Sequence, residues 1–152
     1  MNRPVVVTGF IGSLLLTACI PPIPNLAPKL YLHPVKGPMA TEHPQATITG
    51  FSTGFSSGSI SFQLPSGEAC KGAWEPIPQD QPGSSLAATW DLVYGEGYFT
   101  NHVLGSKWRG KSNITGSKGS KFLLEFYRGM PKDSPLLGIA QDAAGNVYKV
   151  TQ

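Results

Sequence analysis

From residue 45 onward, apolar and polar residues alternate in short runs separated by turns. Ser59 to Leu64 sets Ile60, Phe62 and Leu64 on one face and Ser59, Ser61 and Gln63 on the other. That is the period-2 signature of a half-buried strand. Pro65-Ser66-Gly67 supplies a turn, and Glu68 to Trp74 returns as the partner. Lys121 to Tyr127 repeats the arrangement, with Phe122, Leu124 and Phe126 inward and Lys121 and Glu125 outward. Its partner is Lys111 to Thr115, joined through Ser117-Lys118-Gly119-Ser120 as a tight hairpin. A third hairpin pairs Leu136–Gln141 with Val147–Val150 across Asp142 to Asn146, turn formers whose side chains satisfy local backbone groups. Ala46 to Phe51 reads as a further strand and Tyr98 to Val103 as a weaker one. Leu86 to Tyr94 fits either a strand or a short helix, and its period does not decide between them.

The 18 glycines and 14 prolines argue against long helices. Gly72, Gly110 and Gly138 fall inside or beside strands, where glycine marks bends or close backbone approach. The predicted fold is all-β: a small antiparallel barrel or sandwich of short hairpins over residues 45–152. Upstream the pattern differs. Residues 20–44 hold seven prolines, which exclude a helix and favour an extended tether, with Leu30-Tyr31-Leu32 able to pack on the domain as an edge strand.

The chain opens with Arg3 and an apolar run from Val5 to Leu16, about 12 residues long. A membrane-spanning helix needs roughly 17 to 25. The run instead has the layout of a secretory signal peptide, with the small residues Thr17 and Ala18 before the cut. Leu16-Thr17-Ala18-Cys19 resembles the lipobox of bacterial lipoprotein precursors, and the resemblance covers residues 1–19. It implies cleavage between Ala18 and Cys19, a diacylglycerol on the Cys19 thiol, and acylation (palmitate, for example) of the freed amine. Each buried methylene contributes about 0.8 kcal/mol, so two or three chains hold such a protein on a membrane. Ile20 stands where an aspartate would direct inner-membrane retention, which implies an outer-membrane protein facing the periplasm. The expected organisation is a signal peptide at 1–18, a lipidated cysteine with a Pro-rich tether at 19–44, and the β-rich domain at 45–152. Cys70 is then left single and is expected to be buried in its strand. A plain secreted protein would instead let Cys19 pair with Cys70.

Charge is unevenly distributed. Residues 105–128 carry Lys107, Arg109, Lys111, Lys118, Lys121 and Arg128 against Glu125, a net of +5, whereas residues 45–104 carry a net of −4. Lys107, Trp108, Arg109, Lys111, Lys118 and Lys121 therefore form a candidate surface for an anionic ligand such as lipid or an acidic wall polymer, with Trp108 as a stacking group or interfacial anchor. Gly105 to Ser112 matches the phosphate-loop pattern G-x-x-x-x-G-K-S, but that loop must leave a buried strand and open a helix. Neither context is present.

Other chemistry is sparse. His33 and His43 fall in the tether and His102 stands alone, so no metal-ligand spacing exists, and no cofactor is expected. No Gly-x-Ser-x-Gly elbow occurs. A triad through His102 with Asp91 is the remaining enzymatic arrangement. The expected function is that of a lipid-anchored envelope module, non-enzymatic, with an envelope protein, anionic lipid or wall polymer as partner and no nucleic acid. The alternatives are a ligand-binding or inhibitor-type barrel, with Phe62, Trp74, Trp90, Tyr98 and Trp108 lining a cavity or lip, and an enzyme using His102. The last hairpin, from Gly138 to Lys149, resembles a pattern in small exported β-rich proteins of unassigned role.

Overall fold

The computed structural model describes residues 29–41, 46–51, 57–81, 83–131 and 134–152. Eight strands follow one another round a closed antiparallel barrel. They are β1 (Leu30–Lys36), β2 (Ala46–Phe51), β3 (Gly58–Gln63), β4 (Ala69–Pro76), β5 (Arg109–Gly116), β6 (Lys121–Arg128), β7 (Leu136–Asp142) and β8 (Val147–Thr151). Closure is made by β8 against β1, through Tyr31↔Thr151, Leu32↔Val150 and His33↔Lys149. A closed barrel leaves no strand edge unpaired. Of the two architectures open from the sequence, the barrel is the one formed.

Alternation sorts the side chains. Leu30, Leu32, Ile48, Ile60, Phe62, Cys70, Trp74, Ile114, Phe122, Leu124, Phe126, Tyr148 and Val150 belong to one buried cluster that fills the interior. Phe62 meets Phe122 edge-on at 5.5 Å, and Trp74 meets Phe126 at 5.3 Å. Outward positions carry Ser59, Ser61, Lys71, Asn113 and Lys121. Apolar within and polar without is the reverse of a barrel embedded in lipid.

Glycine makes room for the rings. Gly110 lies directly across from Phe126 in the β5–β6 register, and a Cβ there would stand 2.3 Å from the Phe126 Cζ. Gly110→Val is expected to lower stability by about 1–3 kcal/mol, because the ring must leave its place in a packed interior. Urea denaturation measures this directly, and an unshifted midpoint would contradict the packing described.

Two sequence expectations are corrected. The tether was expected to run to residue 44, with Leu30-Tyr31-Leu32 at most an edge strand, yet Leu30–Lys36 is a full stave with a neighbour on each side, so the barrel includes residues 30–36. Leu30, Leu32 and Pro34 are buried at alternate positions, which satisfies the inward face. Pro34 is tolerated because the β1–β8 register shifts between Pro34 and Lys36, and a bulge does not need its missing N–H. Residues 19–28 and 42–44 of the expected tether lie outside the described residues.

The second correction concerns residues 86–103, between β4 and β5. Ala87–Tyr94 is a helix, α1, and Phe99–Val103 is a single π-helical turn rather than a strand. With the barrel closed there is no edge for another strand to join. The segment instead packs on the outside: Leu86, Trp90, Phe99 and Val103 form a second buried cluster with Tyr127 of β6 and Ile139 of β7. The Leu86 N–H donates to Ser84 Oγ at 2.8 Å where the helix starts. Gly95 ends it at φ 113°, a conformation that side chains resist. The Asp91 carboxylate then accepts the Phe99 N–H at 2.8 Å and ties helix to π turn.

At the opposite end from this layer, Glu68 organises the β5–β6 turn. Its carboxylate accepts the Lys118 N–H at 2.8 Å, the Ser120 N–H at 3.1 Å and the Ser120 hydroxyl at 2.7 Å. The Ser120 hydroxyl is the main cause that holds the Glu68 carboxyl below its ordinary value, with the two backbone donors adding to it. A carboxyl depressed in the folded state stabilises at neutral pH and loses that contribution as pH falls through its folded value. The melting-temperature gap between wild type and Glu68→Gln is therefore expected to be widest at neutral pH and to close in acid. A gap independent of pH would contradict this.

Candidate functional site

Strand register decides which surface residues meet. Tyr31, Thr151, Leu137, Tyr127 and Arg109 are successive direct partners across β1, β8, β7, β6 and β5. Its β5, β6 and β7 members mark a proximal rim; traced the other way from β1, the register runs through Leu30, Ile48, Phe62, Cys70 and Gly116 to the opposite end of β5, so β1 enters the wall part-way up. The loops at 104–108 and 129–131 sit on this rim. They are pinned together: the Arg128 N–H donates to the Trp108 carbonyl at 3.0 Å, and the Ser106 hydroxyl to the Arg128 carbonyl at 3.3 Å. Between them is an open groove of about 450 Å³, walled by Leu104, Lys107, Trp108, Arg128 and Met130, with His102 at one side. His102 and Met130 also border a second groove against Tyr127 and Leu137, so the two share a wall. Trp108 is 50 % exposed and Met130 78 %.

An aromatic file supports this surface from below. Trp90, Tyr94, Tyr98 and His102 recur every four residues, and their rings follow one another at 5.4, 4.7 and 4.6 Å. Trp90 is wholly buried and its indole N–H donates to Glu125 Oε2 at 3.0 Å. The Tyr94 hydroxyl donates to the carbonyls of Gly138 and Val150 at 3.0 and 3.1 Å, crossing the β7–β8 ladder. Tyr98 and Tyr127 join their hydroxyls at 2.7 Å. Burial pushes the Tyr94 and Tyr127 phenols up, so both stay protonated. The four-residue spacing was visible in the sequence, but glycines at 95 and 97 break it as a helical signal.

Arg109 is the residue the sequence misplaces most. Its outward parity predicts exposure, yet it is only 2 % exposed, covered by the π turn, with its Cζ 5.4 Å from the Phe99 ring centre. None of its guanidinium nitrogens has a hydrogen-bond partner among the described residues. Desolvation lowers its pKa and the charge of Glu125 opposes that shift. Glu125 is itself buried, bonded to the Ser84 hydroxyl as well as to Trp90.

The anionic surface expected from the sequence is therefore divided. Lys107 and Trp108 lie on the proximal rim and Arg109 is beneath it. Lys111 is exposed along β5 and pairs with Glu75 at 3.2 Å, a surface contact of small energetic weight. Lys118 and Lys121 sit at the distal end, where the Lys118 amine donates to the Ser66 carbonyl at 3.1 Å. The eight residues of β5 separate the two groups, a span of about 25 Å at strand rise. Contiguity in sequence became separation in space because β5 runs the full height of the wall. Arg128 and Met130, on the neighbouring strand end, take the places the sequence gave to Lys118 and Lys121.

The remaining motifs resolve plainly. Gly105 to Ser112 is half rim loop and half β5, with Ser112 turned inward to the Ala73 carbonyl at 2.8 Å, and no helix follows. Asp91 is occupied as the cap of Phe99, while His102 packs on Tyr98; no hydrogen bond joins the two among the described residues. Phe62 and Trp74 are inside the barrel, Trp90 and Tyr98 under the outer layer, and Trp108 on the rim, so these five do not line one cavity. Cys70 is a free, buried thiol whose pKa burial raises. Asp142 accepts the Ala144 and Asn146 N–H groups at 2.9 Å and serves its own turn. Among the described residues no cluster of three His, Cys, Asp or Glu could hold a metal ion. Ala18 and Cys19 lie outside the described residues. The class the fold defines is a side-chain-filled, eight-stranded meander barrel with a helical outer layer. No protein-family model, curated protein or solved structure matches the chain.

Proposed function

We propose that the protein is a lipid-anchored module of a bacterial envelope that acts by binding at its outer surface and performs no catalysis. The observation that carries the binding half is the filled interior: with Phe62, Trp74, Phe122 and Phe126 packed within, a partner is met outside, at the rim grooves. The anchoring half rests on Leu16 to Cys19 of the sequence. Among the described residues no helix is long and apolar enough to cross a membrane.

Intact-mass measurement on protein extracted from membranes tests the anchor. The expected product begins at Cys19 and carries two or three acyl chains, and Cys19→Ser abolishes both cleavage and acylation. A mature chain with a free Cys19 thiol would refute the anchored reading. For the binding half, loss of the protein is expected to weaken envelope integrity under detergent challenge, and rim substitutions at Trp108 are expected to reproduce that loss.

A further inference from the structure

We propose that the proximal rim docks on the surface of an anionic phospholipid bilayer, with Trp108, Leu104 and Met130 at headgroup depth and Lys107 and Arg128 against the phosphates. The geometry rests on the anchored reading above. Two features of the rim converge on it.

The first is the kind of apolar surface. Among the described residues the exposed large aromatics are Trp108 and Tyr31, and Trp108, the more exposed of the two, belongs to this rim. An indole or phenol pairs an apolar body with a polar tip, which suits the boundary between headgroups and chains. The groove beside Trp108 is open rather than enclosed, a shape that admits chains or headgroups from above.

The second is charge. Lys107 is exposed and Arg128 half-exposed, and neither forms an ion pair among the described residues. Their charges are available to an external anion. Each basic side chain near an anionic bilayer strengthens partitioning about fivefold.

The test uses the full chain as processed by cells, reconstituted in phosphatidylcholine vesicles with or without phosphatidylglycerol, all with brominated acyl chains. Trp74 and Trp90 are buried and report an intact fold, whereas Trp108 is the exposed indole. The expected result is quenching of Trp108 emission in phosphatidylglycerol vesicles, reduced at least severalfold in phosphatidylcholine alone, in high salt, and in Lys107→Glu with Arg128→Glu. Trp108 that stays open to aqueous iodide in both vesicles overturns the proposal, as does protection that appears only when an envelope protein is added. Acyl analysis of the same sample separates the two readings. An acylated chain with an aqueous Trp108 refutes the docked rim and leaves the anchor; an unacylated chain with a quenched Trp108 refutes the anchor and leaves the rim.

Discussion

Glu125→Ala is expected to destabilise the protein by about 3–5 kcal/mol, the cost of leaving a buried charge without its counter-charge. Glu125 and Arg109 are diagonal neighbours on the outer face of β6 and β5, since Lys111 faces Glu125 and Arg109 faces Tyr127. Both are covered by the α1–π layer. The Glu125 carboxylate also receives the Ser84 hydroxyl and the Trp90 indole, so its removal strands two donors together with the guanidinium. Arg109 has no hydrogen bond that would soften the loss. The pairing makes a second expectation: Arg109→Met added to Glu125→Leu recovers most of the stability, because an apolar pair of similar volume needs no compensation. Urea unfolding of the single and double variants reads both. A cost for Glu125→Ala no larger than that of Lys111→Ala, whose pair with Glu75 is exposed, would show that the buried charges do not depend on each other.

Trp90→Ala is expected to cost a similar amount, about 3–5 kcal/mol, through a different route. Trp90 is the largest side chain of the outer cluster and touches three other rings, Tyr94, Tyr98 and Tyr127. Its removal leaves a cavity between α1 and β6 that a closed barrel wall cannot collapse to fill. The barrel interior is a separate cluster and keeps its packing. The loss is therefore expected to be local first: proteolysis between Gly95 and Gly97 before global unfolding, with near-ultraviolet dichroism of the interior rings retained. Uniform loss of all signals in one transition would mean that the outer layer and the barrel unfold as one body. Because Trp90 and Glu125 share a hydrogen bond, their substitutions should not add, and the double variant should cost less than the sum.

The sequence displayed the barrel wall more clearly than its rim, for physical reasons that individual residues make plain. Strands β3 to β8 alternate apolar and polar residues because one face is buried, and Ile60, Phe62, Phe122, Leu124 and Phe126 were readable for that reason alone. β1 was readable only as far as Leu30-Tyr31-Leu32, offered as an edge strand; its continuation was obscured by Pro34, whose missing donor is excused by a bulge that no local pattern announces. Leu86 to Tyr94 was ambiguous because only Trp90 of α1 is buried; one anchor does not set a period. The candidate site was legible as Lys107 and Trp108 but not as a surface. Arg128 and Met130 reach it through the β5–β6 pairing, and Arg109 leaves it because an insertion from elsewhere in the chain covers its face. Parity tells which side of a wall a residue occupies, not what is later laid over that side.

Closure of the barrel through Leu32 and Val150 has a bearing on how the chain folds. The two residues are 118 apart, so the pairing that removes the last open edges is also among the most distant in sequence. Non-local pairings of this kind slow folding, since loop entropy is lost before the contact forms. Until then β1 and the rest of the meander each present a free strand edge, open to association with other copies. A chain shortened before Val147 would never complete the ring. Refolding rate and aggregation yield should therefore respond most strongly to changes in β8, the stave that arrives last and seals the first.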